Sequence, residues 1–195
     1  MTKRGLPQKI IVASANGHKI AEIKSIFNDV ELISMSEAGF EGDIEETGKT
    51  FKENALIKAR AVSEALDTPL PVMADDSGLC VDALHGAPGV FSARFSGGGS
   101  AENRALLLKR MEGISHRSAH FSCAVCLYFP DGRHIFGEGF TRGKILFEEI
   151  GDMGFGYDPL FYSNDLKKSF GEAKESEKNG VSHRYRALQD LRSKL

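Results

Sequence analysis

No stretch of the chain approaches the roughly 20 consecutive apolar residues that a bilayer-spanning helix needs, which argues against a membrane protein. The apolar run behind the basic opening MTKRGLPQK, Ile10 to Ala13, is too short for the core of a signal peptide. Neither sign of charge dominates: Lys and Arg number 25, Asp and Glu 27, for a formal charge of −2. That balance offers no global basic footprint for a nucleic acid. Cysteine is scarce. Three residues, Cys80, Cys123 and Cys126, make a poor disulfide framework and suit a reducing compartment, so the cytoplasm is expected. Cys123 and Cys126 form a C-x-x-C inside AHFSCAVCLYF, a β-branched and aromatic run that reads as a strand. A separation of three places them on opposite faces of that strand, so they do not share a metal or a disulfide. Repeats, low-complexity tracts and long linkers are absent as well.

What is present is an ordinary globular composition, 41% apolar and 27% charged over 195 residues, enough for one domain or two lobes sharing a core. KIIVAS (9–14) reads as a buried strand. A helix from about Gly17 to Phe27 follows, with Ile20, Ile23 and Phe27 on one face. VELISM is a second strand. Thr50 and Glu53 match a capping box opening a helix to about Leu66. PLPVMA is expected to be a strand that ends at the adjacent aspartates Asp75 and Asp76. Residues 101–112 read as a helix packing through Leu106, Leu107 and Met111. Two further strands flank Pro130-Asp131-Gly132, a hairpin signal, and a last helix starts near His183. The alternation predicts an α/β protein with a mixed sheet and a smaller lobe around 110–145.

Several stretches carry candidate chemistry. SANGHK, Ser14 to Lys19, joins the first strand to the first helix, where free N–H groups and the helix dipole favour an anion. Ser14 and Asn16 add side-chain donors. Lys19 in a first turn opposes the dipole, which argues for function over a plain turn; the pattern is not a P-loop. Lys58 falls within the apolar stripe made by Phe51, Ala55, Val62 and Ala65. It either snorkels to the edge of that stripe or meets a polyphosphate. Glu45 and Glu46 lie in an acidic loop just upstream. ADDSG reads as a solvated turn or as a metal or catalytic site at a strand end. GDMGFGYDPLF sets Phe155 and Tyr157 among glycines, suited either to a turn or to an aromatic face against a flat ligand. SEKNGVSHR gathers Lys178, Ser182, His183 and Arg184 at the start of the last helix.

Taken in order, S-x-N-x-x-K, EETGxTFxENAxxKA, ADDSGLxVDALxGAPGVFSARFSG, GFGYDPLF and SHR resemble the inosine triphosphate pyrophosphatase family, also described as dITP/XTP pyrophosphatases. The likeness runs from about residue 9 to 190; Ser14 stands where threonine is frequent in that family. It implies a single nucleoside-triphosphate pyrophosphatase domain over residues 1–195. The implied fold is α/β, with two lobes around a long mixed β-sheet with flanking helices and the active site in the cleft between the lobes. It also implies a homodimer and hydrolysis of noncanonical purine nucleoside triphosphates (ITP, dITP, XTP) to monophosphate and pyrophosphate with Mg2+.

By the same resemblance Ser14, Ala15, Asn16, Gly17, His18 and Lys19 hold the triphosphate with Lys58, and Ser77 joins the substrate contacts. Asp76 is the catalytic carboxylate and a metal ligand, supported by Asp75. Glu45 is the second metal carboxylate, with Glu46 as the alternative. Phe155 stacks on the base, Gly156, Tyr157 and Asp158 shape its pocket, and Lys178, His183 and Arg184 supply polar contacts. Donors from His183 and Arg184 would suit a 6-oxo purine and leave adenine mismatched. Two rivals remain open. A haloacid-dehalogenase-like phosphatase would need Asp-x-Asp after the first strand and would release orthophosphate. A non-catalytic nucleotide sensor would bind without turnover and has little use for so many carboxylates.

Overall fold

The computed structural model describes residues 7–195, so the basic opening MTKRGL and the signal-peptide question attached to it lie outside the described residues. Seven strands form one sheet in the order β2-β1-β3-β4-β5-β6-β7. They are β1 Lys9–Val12, β2 Glu31–Ser34, β3 Val72–Val81, β4 Ser118–Tyr128, β5 His134–Ile145, β6 Phe161–Ser163 and β7 Lys168–Ser169. β1 runs parallel to β2 and β3, whereas β6 runs antiparallel to β5 and β7, so the sheet is mixed as expected. The helices are α1 Gly17–Ile26, α2 Phe51–Leu66, α3 Ser100–Arg110, α4 Glu175–Asn179 and α5 His183–Ser193. No described helix is long and apolar enough to cross a membrane.

The chain divides into two compact units. The first holds the described residues up to Asp76 with Cys123–Gly139 and Arg184–Leu195; the second holds Ser77–Ser122 and Phe140–His183. Residues 110–145 are thus shared between the two.

In the first unit, strand alternation sorts side chains into two apolar layers. Ile10, Val12, Met73, Cys123, Val125 and Leu127 pack with Ile23 and Phe27 of α1 and Ala187, Leu188 and Leu191 of α5. Ile11, Ala13, Val72, Ala74 and Cys126 pack with Ala55, Ala59 and Val62 of α2. The two cysteines therefore do face opposite ways, each buried. Burial pushes the Cys126 thiol up to about 12, which leaves it inert at neutral pH.

α1 and α2 each start on a side-chain cap. Asn16 Oδ1 accepts from the His18 and Lys19 N–H groups at 3.0 and 3.2 Å. Thr50 and Glu53 form the expected capping box, and α2 stops at Asp67 in the left-handed region, φ 44°. One detail of α2 differs from expectation: Ala65 is exposed, and the buried face runs through Asn54, Ala55, Ala59, Val62 and Ser63. The helix meets the sheet through small residues, and polar side chains share its inner face.

The second unit is centred on aromatics. Phe121, Tyr157, Phe161 and Phe170 pack with Leu79, Val81, Leu107, Met111, Ile145 and Leu160. The Phe121 and Phe161 rings meet edge-on at 4.7 Å.

Candidate active site

The adjacent aspartates do not end their strand. β3 continues through Asp75, Asp76 and Ser77 to Val81, so the acidic pair lies mid-strand rather than in a turn. The apolar run alone misplaced the strand end, because Asp, Ser and Gly are usual turn formers and the strand's further pairing is invisible locally. Alternation then sends the two carboxylates to opposite faces. Asp75 shares the side of Met73, toward α1 and α5. Asp76 shares the side of Ala74, toward α2.

Asp75 is wholly buried and surrounded by cations. Lys19 Nζ lies 3.2 Å from its Oδ2, and Arg184 approaches the same oxygen through Nε and Nη2 at 3.1 Å each. Burial by itself would raise the carboxyl's pKa, but the charges of Lys19, Arg184 and Lys58 outweigh it and hold Asp75 far below the ordinary aspartate range. Arg184 is fully buried and also donates to Glu22 of α1, itself buried. It is therefore locked as a cation between two carboxylates, despite the desolvation that opposes its charge.

Asp76 has a different environment. Asn54 Nδ2 donates to its Oδ2 at 3.0 Å, and Lys58 Nζ lies 3.7 Å from its Oδ1. Burial pushes the Asp76 carboxyl up, and the pull of Lys58, Lys19 and the Asn54 hydrogen bond does not cancel that rise. Lys58 does not snorkel to solvent: its Nζ sits 2.5 Å from Glu46 Oε1, and its side chain is 13% exposed. Its charge is favoured in place because the carboxylates of Asp75, Asp76 and Glu46 exceed the cost of burial. Glu46 is thus the member of the acidic pair turned into this cluster, whereas Glu45 is exposed.

The Ser14–Lys19 segment is held open by its own cap. Ser14 Oγ accepts the Asn16 N–H at 3.2 Å, and the Asn16 side-chain oxygen is spent on α1, so only its Nδ2 can serve as an external donor. Ala15, Asn16, Gly17 and His18 are exposed, while Ser14 and Lys19 are half-buried.

The second unit gathers the remaining candidates. Asp158 Oδ2 accepts the Phe155 N–H at 2.8 Å and Lys178 Nζ at 2.7 Å. The Lys178 ammonium lies 4.4 Å from the Phe155 ring centroid and 5.7 Å from that of Phe170. Tyr157 is buried in the core and donates its hydroxyl to the Ser92 carbonyl at 2.9 Å, anchoring the segment. The His183 ring stacks on Phe121 at 4.9 Å, and Ser77 is half-buried.

So Asp76 and Lys58 come together in one cluster, Lys19 and Arg184 in another around Asp75, and Phe155, Asp158 and Lys178 in a third. Two participants, Asn54 and Glu22, were not among the sequence candidates. Asn54 links Asp76 to the loop before α2 by accepting the Gly48 N–H at 2.8 Å; a Cβ at Gly48 would collide with it. It precedes Lys58 by one helical turn, and that spacing is the clue available beforehand. Glu22 and Arg184 meet across 162 residues, a pairing no local pattern reveals.

A metal was also expected here. Among the described residues, no group of three or more His, Cys, Asp or Glu is placed to hold one alone. Asp76 and Glu46 nevertheless converge on one lysine, and hard carboxylate oxygens suit a magnesium ion that takes its other ligands from phosphate and water.

Known proteins resemble nearly the whole of this chain. The model of the Ham1 family matches residues 10–194. A Haemophilus influenzae protein named dITP/XTP pyrophosphatase is 46% identical, with 97% of this chain and 100% of that one covered. One of the same name from Clostridium perfringens is 44% identical, covering 96% and 97%. The structure of a HAM1 protein from Coxiella burnetii superposes with a TM-score of 0.86 at 39% identity, covering 96% of this chain and 98% of that one. The chain belongs to the Ham1 family.

Proposed function

We propose that this chain hydrolyses noncanonical purine nucleoside triphosphates, such as ITP, dITP and XTP, to the monophosphate and pyrophosphate. The observation that carries the reading is the cluster of Asp76, Lys58 and Glu46, with Asp75 and Lys19 on the opposite face of the same strand. A water oxygen attacks the α-phosphorus, the bond to the α–β bridging oxygen breaks, and pyrophosphate leaves. Asp76 is the base that takes the water's proton. Its raised pKa makes it a better proton acceptor than an ordinary aspartate. Asn54 fixes the carboxylate's orientation through its other oxygen.

Lys58, Lys19 and the N–H groups of Ala15 and Gly17, the ones in the Ser14–Lys19 segment not spent on its own cap, stabilise charge on the triphosphate and on the departing pyrophosphate. Asp76 and Glu46 hold magnesium. Glu46 is preferred over Glu45 because it already faces Lys58. When bound, the ion supplies positive charge to the phosphate oxygens and Lewis acidity toward the attacking water. The triphosphate is thereby assigned to the first unit.

The base is assigned to residues of the second unit, with Phe155 as its stacking face and Lys178 and His183 as polar contacts. Arg184, engaged by Asp75 and Glu22, contributes a base contact only if it remains held there while donating onward. Family likeness also supports a homodimer that works in the cytoplasm on the nucleotide pool.

Product analysis tests this directly. Purified protein with magnesium is offered ITP, XTP, ATP and GTP separately. Monophosphate and pyrophosphate from ITP and XTP, with ATP and GTP nearly untouched, is the expected result. Release of orthophosphate, or equal turnover of all four, would overturn it.

A further inference from the structure

Arg104 belongs to none of the motifs above, yet it grips the segment that carries Phe155. That segment, between β5 and Tyr157, has no regular structure, and Gly151, Gly154 and Gly156 adopt φ of 81°, 76° and 61°. Glycine takes these angles without steric cost; backbone hydrogen bonds tie Ile150, Met153 and the Phe155 carbonyl, while the Gly156 carbonyl is held by a side chain. Arg104, on α3, donates from Nη1 to the Gly156 carbonyl at 3.0 Å. Its Nε lies 2.9 Å from Glu149 Oε1. The guanidinium thus hydrogen-bonds the segment after Phe155 and meets it before Phe155 by ion pairing, without hydrogen-bond geometry at Nε. The arginine side chain is 18% exposed and Glu149 42% exposed, so the hold on the Gly156 carbonyl is the better protected of the two. A planar fork reaches both points; a compact ammonium does not.

We propose that Arg104 is a positioning residue for base recognition: by fixing the Gly156 peptide it sets the orientation in which Phe155 meets the purine. The proposal rests on the reading of Phe155 as the base-stacking residue. Asp158 secures the Phe155 N–H on one side of that residue. Arg104 secures the next carbonyl on the other, so the peptide planes around the ring are fixed from both directions.

The chain has no tryptophan, so Phe155→Trp creates a single fluorescent probe on the segment itself. In that background Arg104→Ala should increase acrylamide quenching about twofold, as a segment freed of its side-chain clamp becomes more accessible. With Phe155 intact, Arg104→Ala should raise KM for ITP about tenfold while kcat changes less than about twofold, the pattern of a lost binding interaction. Arg104→Lys should fall between the two. The inhibition constant of inorganic pyrophosphate, which meets only the phosphate-holding residues of the first unit, should not move.

Unchanged quenching would overturn the proposal. So would a parallel rise in the pyrophosphate constant, which would mark general damage. If the parent protein fails to hydrolyse ITP, the functional reading falls, whereas the quenching comparison still decides whether Arg104 holds the segment.

Discussion

The two units hold their candidate residues by opposite means. In the first, ionised side chains hold one another: Glu22, Arg184, Asp75 and Lys19 form one buried chain, and Asp76, Lys58 and Glu46 another. In the second, the buried pair Lys178 and Asp158 lies against aromatic faces, and side chains on main-chain carbonyls fix its surroundings. Tyr157 holds Ser92, Ser169 holds Asp158, and Arg104 holds Gly156. A polyanion with a reacting phosphorus calls for the first kind of site. A flat, weakly polar base calls for the second. The consequence is a difference in fragility: removing Arg184 strands Asp75 and Glu22 in low dielectric, whereas removing one side-chain contact to a carbonyl in the second unit costs only that contact.

The largest effect should come from Asp76→Asn. It leaves the Asn54 contact and the strand in place but removes the proton acceptor, so kcat should fall by about 10²–10⁴ with little change in melting temperature. Pyrophosphate release under saturating ITP is the measurement; retained turnover would end the assignment of Asp76 as base. Arg184→Ala comes next and acts mainly on stability. Leaving Asp75 and Glu22 uncompensated should cost about 3–5 kcal/mol in denaturant unfolding. A loss below about 1 kcal/mol, with blunted preference for ITP over ATP, would instead make Arg184 chiefly a base contact.

Much of this was legible in the sequence because the informative patterns are local. The capping box at Thr50, the hairpin at Pro130-Asp131-Gly132 and the opposed cysteines each depend on neighbours a few residues apart. The end of β3 was not legible. An Asp-Asp-Ser-Gly run resembles a turn unless distant cations make buried carboxylates tolerable, and those cations come from α1, α2 and α5. The choice between Glu45 and Glu46 was closed for the same reason, since it depends on where Lys58 reaches. Glu22 and Arg104 act through partners far along the chain, at spacings that give no pattern to read. Asn54 offered only its one-turn spacing to Lys58.

In the second unit, Phe155→Ala should sharpen the contrast. Loss of a stacking face is worth about 1–3 kcal/mol per base, so KM for ITP should rise roughly ten- to a hundredfold. The half-buried ring is peripheral to the aromatic core, and thermal stability should hardly change. A stability loss as large as that from Arg184→Ala would erase the distinction between the two regions.

The smallest effect is a displacement along the pH axis, and it separates the two aspartates of one strand. Turnover requires Asp76 ionised. Burial raises its pKa, so kcat/KM should fall, as pH is lowered, at a pH above the ordinary aspartate value of 3.8. Asp75 is shifted the other way. Burial would raise it, but Lys19, Arg184 and Lys58 depress it, so its stabilising contribution is complete above the unfolded-state pKa and fades only as pH falls toward its lowered folded value. Asp75 therefore should not drive loss of the fold across the pH range in which Asp76 loses activity. Lys58→Met removes the strongest charge opposing the rise at Asp76 and should move the acid limb further up, whereas Glu22→Gln, which touches only the Asp75 side, should leave it in place. Rate profiles and unfolding curves measured over the same pH range would show whether the two carboxylates are as separate in titration as they are in direction.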